Sequence, residues 1–139
     1  MDNSAWLRTL SRMPNTTESD LLALNQELLD AIAEGDWSKY SGLCDPDLTA
    51  IEPEAPGQVV QGLAFHKFYF DLKKAPGARQ TTVCQPVVHV AGDMAVIAYV
   101  RLVQKLEEGR PKTVTSMETR VWRRNGTNWR HLHFHRSPL

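Results

Sequence analysis

The sequence has no excess of charge of either sign. Lysine and arginine together number 16, as do aspartate and glutamate, so the 139-residue chain has a formal net charge of zero. Proteins that bind nucleic acid usually carry a clear basic excess, and so do those that bind anionic membranes. We therefore expect neither nucleic acid nor membrane as a partner. A neutral balance does little to keep copies of a protein apart, which is compatible with self-assembly.

Cysteine is scarce and long apolar runs are absent. Cys44 and Cys84 lack the spacing of a disulfide framework, a redox motif or a zinc site. We interpret both as free thiols, which favours the reducing cytoplasm. The longest apolar run, residues 94–100, is too short to cross a bilayer, and the N-terminus lacks the apolar stretch of a secretory signal.

Motifs of the common enzyme classes are also missing. The chain contains no P-loop, GxGxxG, GxSxG or CxxC sequence. Asp45, Asp47 and His66 are candidate acid–base groups beside a pocket, although Asp-Pro-Asp equally suits a turn. The sequence therefore predicts no catalytic residue and no cofactor.

The order of helical and extended patterns predicts an α+β fold. We expect a flexible lead over residues 1–16 and one domain over residues 17–139. Helical spacing over 17–33, 37–44 and 63–73 predicts three helices, and Phe65, Phe68 and Tyr69 of the third should face the core. Short strands at 48–52 and 59–60 follow a turn at 45–47. Longer antiparallel strands are predicted at 80–90, 94–104, 113–124 and 128–136.

Three arginines are predicted to share one face of the last strands. Residues 94–104 are apolar on both faces apart from Arg101, which is typical of a central strand. An even-length turn at 108–111 would place Arg101 directly opposite Arg120. A three-residue loop at 125–127 would bring Arg136 to the same face, because one residue of slip turns every side chain over.

This arrangement of arginines predicts an anion pocket. Like charges opposite each other in a sheet are destabilising, and a guanidinium is costly to bury without a counter-charge. Glu118 can pair with one arginine, so the remaining charge indicates a site for a small anion, most simply a carboxylate. The alternative is that each arginine bonds backbone carbonyls or extends into solvent.

Alternating histidines mark the end of the chain. His131, His133 and His135 are predicted to share one strand face, an arrangement that can hold zinc or copper when a further ligand is present. No cysteine or acid stands at matching spacing, so we expect no metal. The alternative is a polar face or a pH-sensing subunit contact.

Several motifs in order resemble the hub, or association, domain of calcium/calmodulin-dependent protein kinase type II. They lie between about residue 18 and residue 137 and include CDPDLTAIEPEA, FHKFYF, AYVRL, ETRVW and HFHRS. The resemblance implies the cone of the nuclear transport factor 2-like superfamily, in which a strongly curved antiparallel sheet wraps around a long N-terminal helix. It also implies an oligomerisation scaffold without catalytic activity.

The resemblance further implies partners and a ligand site. The domain would pair with itself, stacking dimers into two rings of roughly twelve to eighteen subunits, with kinase domains in cis or in trans as further partners. The matching motifs assign a pocket for small carboxylates to Arg101, Arg120, Arg136, His66 and Tyr40. The alternatives are a small isomerase or dehydratase of the same cone fold, or a metabolite-binding protein using the same cavity.

Two departures from the hub pattern stand out. Residues 71–79 read DLKKAPGAR, where animal hubs tend to carry a tryptophan-containing loop. Neither a kinase segment nor a calmodulin-binding segment is visible in the sequence. The chain is either an excised hub or a free-standing hub-like protein, and the start MDNSAWL favours the second.

Overall fold

The computed structural model describes residues 16–72, 74 and 77–139. Apart from Thr16, the expected flexible lead lies outside the described residues. The helices of the described part are α1 (Thr16–Glu34), α2 (Trp37–Leu43) and α3 (Ala64–Asp71). Its strands are β1 (Cys44–Ile51), β2 (Val60–Gln61), β3 (Arg79–Ala91), β4 (Met94–Glu107), β5 (Arg110–Asn125) and β6 (Asn128–Pro138).

The six described strands form one curved sheet in the order β2-β1-β6-β5-β4-β3. Strands β3 to β6 are antiparallel neighbours in chain order, whereas β6 pairs with β1 in parallel. The helices pack on the concave face, and the opposite face is called the outer face below. This architecture confirms the predicted α+β fold.

The long helix α1 fills the concave face of the sheet. Leu21, Leu28 and Leu29 are fully buried and belong to one core cluster with Ile97 of β4 and Trp122 of β5. Burying each such side chain contributes roughly 1.5–3 kcal/mol. The indole Nε1 of Trp122 also donates a hydrogen bond to Asn25 Oδ1 at 3.2 Å, which fixes the helix on the sheet.

The short helix α3 buries a different side from the one predicted. Phe68 and Tyr69 are 61% and 42% exposed, so the prediction that they face the core is wrong, whereas Phe65 packs against a small core cluster. His66 and Phe70, one helical turn apart, point inward instead. Four aromatic residues in six positions leave the apolar stripe of this helix ambiguous in the sequence.

The hairpin between β5 and β6 has a shorter loop than predicted. Asn125 pairs with Asn128, so the loop is the two residues Gly126 and Thr127, and the prediction of a three-residue loop is wrong. Gly126 adopts a φ of +66°, the left-handed conformation that a tight hairpin turn requires.

A β-bulge then restores the predicted placement of Arg136. Trp122 lies opposite His131, but its neighbour Val121 lies opposite His133, so Leu132 is an extra residue in β6. The extra residue turns over every following side chain of β6. Arg136 therefore lies on the concave face together with Arg120 of β5.

The same bulge separates the three histidines. His131 precedes Leu132 and is fully buried on the concave face. His133 and His135 follow it and point to the outer face. The prediction that all three histidines share one face is therefore wrong, because an irregularity in the strand breaks the period of two.

The register between β4 and β5 also differs from the prediction. Arg101 lies opposite Ser116, and Arg120 lies opposite Ile97, so the two arginines are not direct partners. The strands slip by an even number of residues relative to the expected register. An even slip preserves the face, so both arginines still point to the concave side.

Two smaller features involve proline. Strand β3 is an edge strand with a bulge between Cys84 and Val87, as predicted from Pro86. The turn predicted at 45–47 lies inside β1, where Asp45 Oδ1 accepts a hydrogen bond from the backbone N–H of Asp47 at 2.9 Å.

None of the helices in the described part of the chain is long and apolar enough to span a membrane.

Candidate functional site

A cavity of about 410 Å³ opens on the concave side of the sheet. Side chains from all three described helices, from the segment after β1 and from strands β3 to β6 line it. Its apolar lining includes Phe70, Val103 and Phe134, while half of the remaining lining residues are charged. A cavity of this size matches the lower end of small-molecule sites.

Glu118 of β5 is the centre of a hydrogen-bond cluster beside the cavity. Its Oε1 accepts hydrogen bonds from Tyr99 Oη at 2.7 Å and from Arg120 Nη2 at 2.8 Å. Its Oε2 accepts from Arg101 Nη1 at 2.9 Å and from Ser116 Oγ at 3.3 Å. One carboxylate thus neutralises two arginines.

The charge state of this cluster follows from its neighbours. Burial alone raises the pKa of Glu118, but the charges of Arg120 and Arg101 outweigh that effect and hold the pKa well below its usual value. Glu118 is therefore ionised across the physiological range, and both guanidinium groups have a fixed counter-charge.

The far side of Arg120 contacts a buried histidine and a ring. Arg120 Nη1 lies 3.3 Å from His131 Nε2, and its Cζ lies 4.5 Å from the centre of the Phe134 ring. Burial, and then the charge of Arg120, lower the pKa of His131 well below its usual value. Because a guanidinium only donates, the neutral imidazole accepts at Nε2 and carries its proton on Nδ1.

That Nδ1 lies 3.7 Å from the Sγ of Cys44. Burial raises the pKa of the Cys44 thiol to about 12, and the contact with Tyr40 offsets this only in part. A thiol with such a pKa is protonated at neutral pH, so this Cys–His pair lacks the thiolate that nucleophilic catalysis needs. The pair has a structural role.

A buried acid–histidine pair also lies in the cavity wall. His66 Nε2 of α3 lies 2.8 Å from Glu52 Oε1, and both residues are buried. Tyr40 packs nearby, with its ring centre 6.2 Å from that of His66. Burial, and then the neighbouring Cys44, raise the pKa of Tyr40 well above its usual value, so its phenol stays neutral.

Two buried nitrogen atoms in the lining residues have no hydrogen-bond partner among the described residues. They are Arg101 Nε and His66 Nδ1. Buried polar groups are usually hydrogen-bonded, so two unpaired nitrogen atoms in residues that line the same cavity are an exception that needs an explanation. Arg136, closer to solvent, forms an ion pair with Glu54 from the segment after β1.

The described residues offer no evident metal centre. Within 16–72, 74 and 77–139, no three His, Cys, Asp or Glu side chains are grouped as ligands would be around a metal ion. The cavity instead combines hydrogen-bond donors, cations and aromatic rings, which suits the binding of a small anion with an apolar part.

Comparison with known proteins identifies the family. The model of the calcium/calmodulin dependent protein kinase II association domain matches residues 17–139. This chain belongs to that family. The association domain is also 45% identical over 124 residues to the delta subunit of the type II kinase from Oryctolagus cuniculus. That match covers 86% of this chain and 23% of the kinase subunit, so the chain spans about a quarter of its length.

Solved structures give the same fold. The hub homology domain from Chlamydomonas reinhardtii is 46% identical, with a TM-score of 0.85 over 89% of this chain and 99% of that one. A nuclear transport factor 2-like protein from Cytophaga hutchinsonii is 20% identical, with a TM-score of 0.72 over 91% of this chain and 100% of that one. At that identity the likeness shows the fold alone, and this fold is the one predicted from the sequence.

The association domain brings all of the predicted site residues to one cavity. Arg101, Arg120, Arg136, His66 and Tyr40 all line it. The predicted shortage of carboxylates is wrong, however. Glu118 serves Arg101 and Arg120 at once, and Glu54 serves Arg136.

Sequence reasoning missed four charged residues of the lining. Glu52 and Glu54 flank Pro53 in the segment after β1. Neither helical nor strand periodicity applies to this segment, so the sequence did not predict which residues they contact. Lys105 could have been predicted from the sequence, because it follows Arg101 by an even number of residues in the same strand. Arg79 could have been predicted to line the cavity only from the register of β3 against β4, in which it lies opposite Lys105.

Proposed function

We propose that this association domain is an oligomerisation scaffold that forms a stacked-ring homo-oligomer of roughly twelve to eighteen subunits. We propose further that its cavity binds a small carboxylate. Membership of the association-domain family supports self-association, and the outer face of the sheet supports it independently.

The outer face is apolar although none of the described helices covers it. The outward residues of β4 include Val96, Val100 and Leu102, all only partly buried, and neighbouring Val87 and Met117 are 50% and 49% exposed. Sheets that are apolar on both faces usually occur with both faces covered. A second copy of the chain, packed face to face, would cover this surface.

Native mass spectrometry tests the assembly. The purified chain should give one discrete species of a dozen or more subunits, whereas a monomer or dimer at high concentration would overturn the ring. Met117→Glu should shift the distribution to smaller species, because it would bury an unpaired charge in the interface. Met117→Leu is the matched control, which keeps the apolar contact and should keep the ring.

The unpaired nitrogens support the carboxylate pocket. Arg101 Nε and His66 Nδ1 belong to residues that line the same cavity, and both lack partners among the described residues. A carboxylate bound there would accept hydrogen bonds from Arg101 Nε and from an N–H at His66 Nδ1. Charge-assisted hydrogen bonds of this kind are worth about 1.5–3 kcal/mol each.

Titration with butyrate tests the pocket. Isothermal calorimetry should show saturable binding that Arg101→Gln removes while native mass spectra stay unchanged. The control is Arg123→Gln, an arginine of β5 that pairs with Asp45 outside the cavity lining. Equal butyrate affinity in the parent and in Arg101→Gln would count against the pocket.

The alternative of an isomerase or dehydratase has one favourable feature, the buried His66–Glu52 pair in the cavity. A proton-abstracting enzyme of this kind needs a free base in reach of its substrate. In the described lining, Glu52 is bound by His66 and Glu54 by Arg136, and Glu118 beside it is bound by two arginines. Turnover of a β,γ-unsaturated ketosteroid that is lost in His66→Gln would restore this alternative.

We also propose a cellular setting. Free Cys44 and Cys84 favour the cytoplasm. Kinase domains, attached to the same polypeptide or recruited from another, are the further partners that membership of this family suggests. Co-purification with a kinase from the native source tests this, and recovery of the ring alone would contradict it.

A further inference from the structure

Arg79 and Lys105 form an unusual pair at the cavity. They are direct cross-strand neighbours, Arg79 in the edge strand β3 and Lys105 in β4, and both line the cavity. On its other side, Lys105 lies opposite Lys112 of β5. Like charges directly opposite each other destabilise a sheet, so this row of cations carries a cost that a bound anion would remove.

The other cations of the lining already have partners. Arg101 and Arg120 are bound by Glu118, and Arg136 is bound by Glu54. Neither Arg79 nor Lys105 forms a salt bridge with a carboxylate of the described residues. Glu107 lies near Lys105, but Lys112 holds its carboxylate at 2.7 Å.

These two cations lie on the same concave face as the inner part of the pocket. Lys105 follows Arg101 by four residues in β4, which separates the two Cα atoms by about 13 Å at the usual rise of a strand. Lysine and arginine side chains are long and flexible, so they can close part of that distance around a ligand. A chain of several carbon atoms with an anionic group at each end fits this spacing.

We propose that the preferred ligand of the cavity is a linear dianion, with one carboxylate at Arg101 and His66 and a second anionic group at Arg79 and Lys105. This inference rests on the proposed carboxylate pocket and specifies its ligand class. The positive charges of Arg79 and Lys105 bind the second anionic group. The apolar lining, including Val103, contacts the carbon chain between the two anionic groups.

Calorimetric titration of the full chain with adipate and with its monomethyl ester tests the proposal. The two probes have the same carbon chain between their acyl groups, but the ester has only one charged end. We expect adipate to bind about tenfold more tightly, which is the effect of one additional charge-assisted contact. The double variant Arg79→Gln/Lys105→Gln should lose this advantage and retain its affinity for the ester.

The matched control replaces Glu107 and Lys112 together, as Glu107→Gln with Lys112→Gln. It removes a cation from the same row along with the carboxylate that pairs with it, so no freed carboxylate is left beside Lys105, and neither residue lines the cavity. The preference for adipate should survive in this control. Equal loss in the control would mean a diffuse positive field in place of a site, and would overturn the proposal.

The remaining outcomes separate the two levels of the hypothesis. If the ester binds and adipate binds no more tightly, the dianion inference fails while the carboxylate pocket stands. If neither compound binds, both fail. The double variant should also melt at or above the temperature of the parent chain, because it removes a like-charge pair, so lost binding would not reflect lost folding.

Discussion

Glu118 and Arg120 form a buried ion pair two residues apart on the same face of one strand. Arg120 Nη2 lies 2.8 Å from Glu118 Oε1, and their side chains are 1% and 0% exposed. Arg101 closes the pair from the neighbouring strand at 2.9 Å. The cluster joins β4 to β5 on the concave face, beside the cavity, so the proposed ligand site and the stability of the fold depend on the same carboxylate.

Replacing that carboxylate should be strongly destabilising. Glu118→Gln leaves Arg120 charged and buried without a counter-charge, which costs about 3–5 kcal/mol. Guanidinium titration followed by circular dichroism measures the free energy of unfolding. The control is Glu54→Gln at the more exposed Arg136 pair, for which we expect a loss of about 1 kcal/mol or less. Similar losses in both variants would contradict the distinct role of Glu118.

Stability should fall as the pH is lowered, in two stages. The pKa of His131 is depressed in the folded state, so below its ordinary value of 6.5 only the unfolded chain takes up the proton. The pKa of Glu118 is likewise depressed, so a second decline begins near its ordinary value of 4.5. Melting temperatures recorded from about pH 8 to about pH 4 measure both declines.

Most of the first stage should come from one residue. His131→Gln keeps an acceptor for Arg120 but has no titrating group, so the decline in melting temperature between neutral pH and about pH 5 should become much shallower. The remaining decline in that range comes from His133, whose pKa is also lowered by burial and by the neighbouring His135. An unchanged slope in this variant between neutral pH and about pH 5 would assign the first decline to another group.

Removing the bulge in β6 should disrupt the fold. Deletion of Leu132 would let the two strands pair regularly from the turn onwards and would direct Phe134 and Arg136 to the outer face. Loss of the Phe134 contacts alone costs about 3–5 kcal/mol, so we expect an unfolded or aggregated product. Leu132→Ala, which keeps the extra residue, should fold and melt cooperatively. A deletion variant with normal stability would contradict the importance of the bulge.

The two thiols should differ in reactivity. In a Cys84→Ser variant the remaining thiol is Cys44, which is buried and has a pKa raised to about 12. It should resist a disulfide reagent in the folded protein and react fully in guanidinium, as an absorbance assay would show. Rapid reaction of Cys44 under native conditions would indicate an open path to the Cys44–His131 pair.

The odd or even spacing of residues along the strands gave the most informative predictions from the sequence. The run at 94–104 identified β4 as a strand with two apolar faces, and the even length of the turn at 108–111 predicted that Arg101 and Arg120 share a face. Arg101 and Arg120 line one cavity for this reason, whereas Tyr40 and His66 are brought to it by α2 and α3. Which face a strand residue occupies depends only on whether its position is odd or even. The predicted faces of Arg101 and Arg120 were therefore correct although the predicted register between β4 and β5 was wrong, because the slip was even.

Contacts that depend on tertiary detail were not readable. Arg136 reaches the predicted face because the bulge at Leu132 makes up for the missing loop residue, and nothing in the local sequence announces a bulge there. The ion pair with Glu54 depends on the path of an irregular segment. The burial of His66 in preference to Phe68 depends on how α3 lies on the sheet.

The position of β6 has a consequence for how the domain is made. This strand lies in the middle of the sheet, between β5 and β1, although it is synthesised after the other five described strands. Cys44 and its partner His131 are separated by most of the domain. During synthesis on the ribosome, the β1–β2 pair therefore cannot join the β3–β5 part of the sheet until β6 has been made. The sheet is completed in one late step that forms long-range contacts.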